Sequence, residues 1–191
     1  YTVEGDWSSA SFWLVASALG QKISIRGLDL ASLQADKQIL KAFEAANCTV
    51  VYSDDAMYIQ GKNRTSFEFD ATHCPDLFPA LVSLASLNEG ESKIRGVNRL
   101  ANKESNRGVA LKTEFAKLGV PIHLEGDLMR IEGQKSIAGG TVSSHNDHRI
   151  AMCLAIAGLF STSPITISEP GCVRKSYADF WMDLEGMHQK K

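Results

Sequence analysis

Three strongly apolar runs recur along the chain, about seventy residues apart. They span residues 10–19, 77–87 and 150–160, and each follows an aspartate: Asp6, Asp76 and Asp147. Apolar side chains occur on nearly every side of these runs, so the pattern predicts three helices that are buried over most of their surface. We expect these helices to pack against one another at the centre of the molecule.

A short strand and a second helix are predicted after each run. The strands are predicted at residues 22–26, 93–96 and 165–168. Polar and apolar residues at helical spacing then predict an amphipathic helix, and the third of these helices ends near Met187. The apolar side of this amphipathic helix includes Leu33 and Phe43 in the first copy, and Val109 and Phe115 in the second copy.

Turn residues between short alternating segments predict two β-hairpins. Residues 49–52 return as 57–60 across Asp54-Asp55, and residues 121–124 return as 128–131 across Gly126-Asp127. Short strands are also predicted before the three aspartates, at 2–4, 67–69 and about 141–142. Each copy therefore has the order β-α-β-α-β-β.

The predicted fold is one α/β (α+β) domain over residues 1–191, with three pseudo-repeats around buried central helices. The repeats are predicted at about residues 1–65, 66–138 and 139–191. The third repeat ends without a hairpin, and the chain starts at Tyr1 without an initiator methionine. We therefore expect a fragment or a processed product, with the missing strands supplied by polypeptide outside this chain.

Composition excludes several classes of protein. A formal net charge of −2 without a Lys/Arg run argues against a nucleic-acid binder, and no apolar stretch is long enough to predict a membrane span. His145 and His148 come without the further ligands that a metal requires, so no metal site is predicted. The cysteines form no C-x-x-C pair, which favours reduced, half-buried thiols in a cytoplasmic protein. They are Cys48, Cys74, Cys153 and Cys172.

Unusual charges stand where the predicted helices begin. A cation at a helix N-terminus forfeits about 0.3–1 kcal/mol at an exposed site, yet His148 and Arg149 open the third apolar run. The starts of amphipathic helices in the second and third copies carry Lys103, Glu104, Arg107 and Lys175. A bound phosphate or carboxylate would offset the cost, because helix N–H groups and cations both favour an anion. The sequence therefore predicts a local anion site.

Each of these charges also has a purely structural interpretation. Glu104 could pair with Arg107 at i,i+3 on a solvated helix, and Asp147 could serve only as a helix cap. Asp76 also fits a helix N-cap before the second apolar run. The coincidence of charges at several equivalent helix starts favours the anion site.

The motifs around these charges resemble the C-terminal domain of the EPSP synthase (3-phosphoshikimate 1-carboxyvinyltransferase) family. The matching motifs are Glu4-Gly5-Asp6, Pro75-Asp76, Lys103-Glu104-Ser105 with Arg107, Asn146-Asp147-His148-Arg149 and Lys175-Ser176-Tyr177. The resemblance covers essentially the whole chain. It implies one domain of a two-domain enolpyruvyl transferase, an inside-out α/β barrel whose N-terminal domain is absent from this chain.

The resemblance also implies a reaction in the shikimate pathway of aromatic amino-acid biosynthesis. The enolpyruvyl group of phosphoenolpyruvate passes to the 5-hydroxyl of shikimate 3-phosphate, and phosphate is released without a metal or an organic cofactor. Arg107, Arg149 and Lys175 are implied to hold phosphoenolpyruvate. Lys103 and Asp76 are implied to contact shikimate 3-phosphate. The isolated chain is expected to be inactive.

Two carboxylates are implied to carry protons in this reaction. Asp76 is the candidate base for the attacking hydroxyl, and Glu104 is the candidate for proton exchange at the methylene carbon. His148 is implied to form a hydrogen bond near the same site. Whether Glu104 is ionised stays open, because neighbouring cations favour the charged form and burial opposes it. Arg99 stands where some members have asparagine, so it receives no role.

Two other functions are compatible with the pattern. UDP-N-acetylglucosamine 1-carboxyvinyltransferase shares the fold and the donor, but the intact Lys103-Glu104-Ser105 and Asp147-His148-Arg149 motifs favour the EPSP synthase family. A non-catalytic anion-binding module made of this domain alone is the other alternative. The sequence upstream of Tyr1 would distinguish an enzyme with a matching second domain from such a module.

Overall fold

The computed structural model describes residues 3–53 and 55–188. The helices are α1 Trp7–Ala18, α2 Ile39–Ala45, α3 Phe78–Ser86, α4 Arg107–Lys117, α5 His148–Gly158 and α6 Phe180–His188. The strands are β1 Ile25–Arg26, β2 Thr49–Ser53, β3 Ala56–Gln60, β4 Glu68–Asp70, β5 Gly90–Arg95, β6 Ile122–Glu125, β7 Leu128–Gly133, β8 Gly140–Ser143 and β9 Ile165–Ser168. The second unit contains the full predicted order, as β4-α3-β5-α4-β6-β7.

Each unit has a separate sheet. The first has the antiparallel order β1-β3-β2, and the second has the order β4-β5-β7-β6, in which β4 and β5 are parallel. In the third unit β8 and β9 pair in parallel. Both hairpins are confirmed, with Tyr52 opposite Met57 and Glu125 opposite Leu128. The sheets of the described residues do not close into a barrel.

The strand predicted at residues 2–4 is wrong in the part that the structure describes. Val3 and Glu4 belong to no strand and precede α1 as coil, and Thr2 lies outside the described residues. Asp54, in the predicted turn of the first hairpin, lies outside them as well. The other two strands predicted before aspartates are present as β4 and β8.

The three apolar helices form the centre of the molecule, as the sequence predicts. Every residue of α3 is buried, and α3 packs against both α1 and α5. Buried hydroxyl groups need hydrogen-bond partners. Ser83 of α3, for example, donates a hydrogen bond to the carbonyl oxygen of Cys153 in α5, at 2.9 Å.

The second helices bury one side only. Ile39, Ala42 and Phe43 are buried in α2, and Leu111 and Phe115 are buried in α4.

The sequence prediction is wrong for two of the residues that it assigned to these apolar sides. Leu33 is 98% exposed, because it lies in a loop before the 3₁₀ turn Ala35–Gln38, where helical spacing does not apply. Val109 is 50% exposed, because two helical positions separate it from Leu111 and so turn it away from the core.

Glycine allows the chain to cross closely behind two of the central helices. A Cβ atom on Gly61 would overlap the carbonyl oxygen of Ala18 at the end of α1. In the second unit, a Cβ atom on Gly133 would overlap the carbonyl oxygen of Ala85 near the end of α3. The segment that leaves each hairpin therefore passes directly over the C-terminal end of the buried helix of its unit.

All four cysteines are free thiols, as expected, but they are buried and not half-buried as the sequence predicts. Among the described residues, no helix combines the length and the apolar character needed to span a membrane.

Candidate active site

Three segments of the chain meet where α3, α4 and α5 begin. Asp76 lies in the 3₁₀ turn Pro75–Leu77, which leads into α3. Asn106 caps α4 by accepting a hydrogen bond from the backbone N–H of Val109, so Arg107 becomes the first residue of this helix. Asp147 caps α5 in the same way, through the backbone N–H of Arg149 at 3.0 Å.

Arg107 is the centre of this cluster. Its side chain is 1% exposed and is surrounded by three carboxylates. Nε donates to Asp147 at 2.8 Å, Nη1 donates to Asp76 at 2.7 Å, and Nη2 donates to both Glu104 and Asp147. Burial alone would lower the pKa of Arg107, but these carboxylates raise it. The buried guanidinium is therefore firmly charged and held in one orientation.

Asp76 joins three cations. Its Oδ1 lies 3.1 Å from Nζ of Lys103 and 2.7 Å from Nη1 of Arg107, and its Oδ2 lies 3.5 Å from Nη2 of Arg149. Burial opposes the charge of Asp76, but Arg149, Lys103 and Arg107 hold the pKa of this carboxyl below its ordinary value. One ionised carboxylate thus offsets the repulsion between cations that the sequence left unexplained.

The structure corrects three details of the sequence interpretation. Lys103 and Glu104 do not open a helix, because α4 starts after the cap at Asn106, and both residues reach the cluster from the preceding loop. Glu104 does contact Arg107, but Arg107 is buried instead of lying on a solvated face. Asp76 makes no side-chain hydrogen bond to the start of α3, because its carboxylate turns toward the cations instead.

His148 and Lys175 lie at the edge of the cluster. The ring of His148 is buried, with Nδ1 3.9 Å from Oε1 of Glu104, and burial together with Arg149 lowers its pKa. His148 is therefore neutral at neutral pH. Lys175 is exposed at the end of the 3₁₀ turn Pro170–Lys175 and donates to the carbonyl oxygen of Asn146 at 2.7 Å. Arg99 is exposed in a separate turn.

Two carboxylates of the site were missed or underestimated from the sequence. Asp147 is fully buried and accepts hydrogen bonds from Ser105 and Arg107 in addition to capping α5. Asp36 accepts a hydrogen bond from Ser8, and burial raises its pKa. Asp36 also lines a cleft of about 300 Å³ that Asp76 shares. No signal marked Asp36 in the sequence, because an aspartate just before an apolar segment is typical of a helix start.

Within residues 3–53 and 55–188, no group of three His, Cys, Asp or Glu side chains has an arrangement that could hold a metal ion. The side chains that do come together are alternating cations and carboxylates at the starts of the helices. A domain of three related α/β units with such a charged cluster at its helix N-termini agrees with the class that the sequence motifs imply, the enolpyruvyl transferase domains.

Comparison with known proteins defines the family within this class. Residues 1–184 match the family model described as EPSP synthase (3-phosphoshikimate 1-carboxyvinyltransferase). This chain belongs to the EPSP synthase family.

The relatives agree with this assignment and are considerably longer. The 3-phosphoshikimate 1-carboxyvinyltransferase of Clostridium perfringens is 40% identical over 188 residues, which are 98% of this chain and 44% of that protein. The same enzyme from Clostridium acetobutylicum is 43% identical, over 97% of this chain and 43% of that protein. The solved EPSP synthase of Acinetobacter baumannii superposes with a TM-score of 0.84 at 27% identity, over 96% of this chain and 46% of that structure. The chain thus spans less than half the length of these relatives.

Proposed function

We propose that this chain is the C-terminal domain of an enzyme that transfers the enolpyruvyl group of phosphoenolpyruvate to the 5-hydroxyl of shikimate 3-phosphate. The relatives carry the name of this activity. The observation that supports it most directly is that Arg107 and Arg149, which are distant in sequence, share the carboxylate of Asp76. A cluster with this composition suits two anionic substrates.

We assign the binding of the donor to three cations. Arg107, Arg149 and Lys175 hold the phosphate and carboxylate of phosphoenolpyruvate, for which a planar guanidinium offers bidentate contacts. Lys103 and Asp76 contact shikimate 3-phosphate. These assignments combine the family motifs with the positions of the residues around one cluster.

Two carboxylates and one histidine complete the assignment. A proton must reach the methylene carbon as the hydroxyl adds, and it must leave again as phosphate is eliminated. Glu104 carries this proton, and Asp76 accepts the proton of the attacking hydroxyl. Substrate anions that draw Lys103 and Arg149 away from Asp76 would raise the pKa of Asp76 and strengthen it as a base. His148, neutral and buried beside Glu104, forms a hydrogen bond near the same atoms.

The reaction requires the other domain of the whole protein, and we place the complete enzyme in the cytoplasm. The described cluster presents one wall of a cleft. Orienting two reactants can lower a barrier by about 7–11 kcal/mol, which an open half-cleft cannot supply. We therefore expect the isolated chain to fold around its own central helices and to have no measurable transferase activity.

The test is an assay of phosphate release from phosphoenolpyruvate with shikimate 3-phosphate. The full-length protein should be active, and Arg149→Ala should lower its kcat/KM strongly. A full-length protein that is folded but inactive with these substrates would refute the assignment. The isolated chain, purified free of host enzyme, should be inactive. Activity of the chain within about tenfold of the full-length protein would show that this domain suffices.

A further inference from the structure

The loop of residues 143–147 leads into α5 through an uncommon backbone conformation. His145 and Asn146 have φ angles of 52° and 53°, in the left-handed region that residues other than glycine seldom adopt. Asp147 and Arg149 follow at once, so the path of the loop sets where these two side chains point. A conformation of this kind persists only where surrounding contacts hold it.

Glu114, in α4, supplies such contacts. Its side chain is 1% exposed. Oε2 accepts a hydrogen bond from the backbone N–H of Ser143 at 2.8 Å, and Oε1 lies 2.8 Å from Nε2 of His145. Nζ of Lys117 donates to Oε2 at 2.7 Å. The carboxylate therefore binds the first and the third residue of the loop at the same time.

These contacts also fix the charge of Glu114. Burial alone would raise its pKa, but the hydrogen bonds from Lys117, Ser143 and His145 lower it below its ordinary value. Glu114 is therefore an ionised carboxylate at neutral pH, and its charge is directed at the loop.

Helix α4 holds the loop at two points. Arg107, at the start of α4, donates to Asp147 at the end of the loop, whereas Glu114 binds the beginning of the loop. Seven residues separate Arg107 from Glu114, which is close to two helical turns, so the two side chains lie on the same face of α4. The helix that carries Arg107 thus also fixes the entry to α5.

Packing does not require a carboxylate at this position. In the first unit the equivalent residue is Ala42, which precedes Phe43 as Glu114 precedes Phe115, and Ala42 is fully buried. Burial of a charged group is costly unless that group is hydrogen-bonded. A buried glutamate where the first unit has alanine therefore points to a purpose other than filling space.

We propose that Glu114 is a positioning residue for the transfer reaction. By holding Ser143 and His145 it fixes the entry to α5, and through that entry it orients Arg149 toward the donor phosphoenolpyruvate. The proposal rests on the function proposed above. Glu114 acts through the loop and does not itself contact either substrate.

The test uses the full-length protein with Glu114→Gln, and Glu44→Gln as a matched control. Glu44 is an exposed glutamate in α2, the equivalent helix of the first unit. In Glu114→Gln we expect the KM for phosphoenolpyruvate to rise about tenfold, as for loss of a charged hydrogen bond, and the KM for shikimate 3-phosphate to stay within about twofold. Hydrogen–deuterium exchange without substrate should become faster in the peptide of residues 141–149. Glu44→Gln should match the wild type in both measurements.

Several outcomes would overturn the proposal. One is a lower kcat in Glu114→Gln with both KM values unchanged, since a smaller folded fraction explains that result. Unchanged exchange in the peptide of residues 141–149 is another. If Glu114→Gln does not fold, His145→Asn decides, because asparagine tolerates the left-handed conformation but loses the ring contact. His145→Asn must also raise the KM for phosphoenolpyruvate, and wild-type kinetics in this variant would refute the proposal.

Failure of the proposed function can be recognised separately. A wild-type protein without transferase activity refutes that function, whereas the exchange measurement needs no substrate. Faster exchange at residues 141–149 in Glu114→Gln would then still support the hold of Glu114 on the loop. Unchanged exchange would refute the hold of Glu114 on the loop, whatever the activity of the wild-type protein.

Discussion

Substitution of Asp147 by asparagine separates its two structural roles. Asparagine caps helices about as well as aspartate, so the hydrogen bond to the backbone N–H of Arg149 can be kept. The substitution removes the negative charge that faces Arg107, where Nε and Nη2 lie 2.8 and 3.3 Å from the carboxylate oxygens. Any loss of stability should therefore report the buried ion pair and not the cap.

The expected loss follows from the contacts of Arg107. Removal of one partner from a buried ion pair costs about 3–5 kcal/mol when the other charge is left uncompensated. Here Asp76 and Glu104 remain on the guanidinium, so the value should approach that of a charged hydrogen bond, about 2–3 kcal/mol. With a urea m-value of about 2 kcal/mol/M, the midpoint of unfolding should fall by about 1–1.5 M.

The assay is urea unfolding of the isolated chain, followed by circular dichroism. Asp6→Asn is the control, because Asp6 caps α1 through the backbone N–H groups of Ser8 and Ser9. Its midpoint should change by less than about 0.3 M, the equivalent of a few tenths of a kcal/mol. Equal losses in the Asp147 and Asp6 variants would show that the buried ion pair adds no stability, and the reasoning would fail.

Three further predictions concern the proton carrier, a close approach and pH. In the full-length protein, Glu104→Gln should lower kcat far more than it raises either KM, and loss confined to KM would make Glu104 a binding residue. Gly133→Ala should destabilise the isolated chain by about 1–3 kcal/mol in urea unfolding, because its Cβ would overlap backbone oxygens near the end of α3, whereas Gly171→Ala meets no neighbouring atom and should be nearly neutral. Asp76 and Asp147 have lowered pKa values, so their stabilisation is present above the unfolded value of 3.8 and is lost as the pH falls through the folded values. The urea midpoint of the isolated chain should therefore fall as the pH is lowered below about 5, and an unchanged midpoint would contradict these pKa shifts.

The central helices and the hairpins could be predicted from the sequence because each depends on a local pattern. Apolar residues on all sides marked α1, α3 and α5, and turn residues between alternating segments marked both hairpins. Boundaries were less certain where a loop interrupts the helical spacing, as at Leu33. The motifs also indicated which charged residues belong together, although they did not indicate which atoms meet.

The contacts of the cluster could not be predicted in this way. Arg107 and Asp147 are 40 residues apart and belong to different units, so their pairing depends on how α4 and α5 pack. Glu114 did carry a signal, because it stands between Leu111 and Phe115 on the apolar side of its helix. A charged residue on such a side predicts a buried partner, but it does not identify that partner.

The three carboxylates around Arg107 have a consequence for selectivity. They accept hydrogen bonds from four of its N–H groups, and a guanidinium has five. An anion that takes two N–H groups of Arg107 must therefore displace one of the protein's own carboxylates from an N–H group. The cluster is also close to neutral, because the charges of Asp76, Glu104 and Asp147 balance those of Lys103, Arg107 and Arg149. Anion binding at this arginine should therefore depend less on ionic strength than binding at an exposed lysine cluster. The three carboxylates therefore compete with any incoming anion for the N–H groups of Arg107. A rigid bidentate anion can displace one of them, whereas a weak or poorly shaped anion cannot.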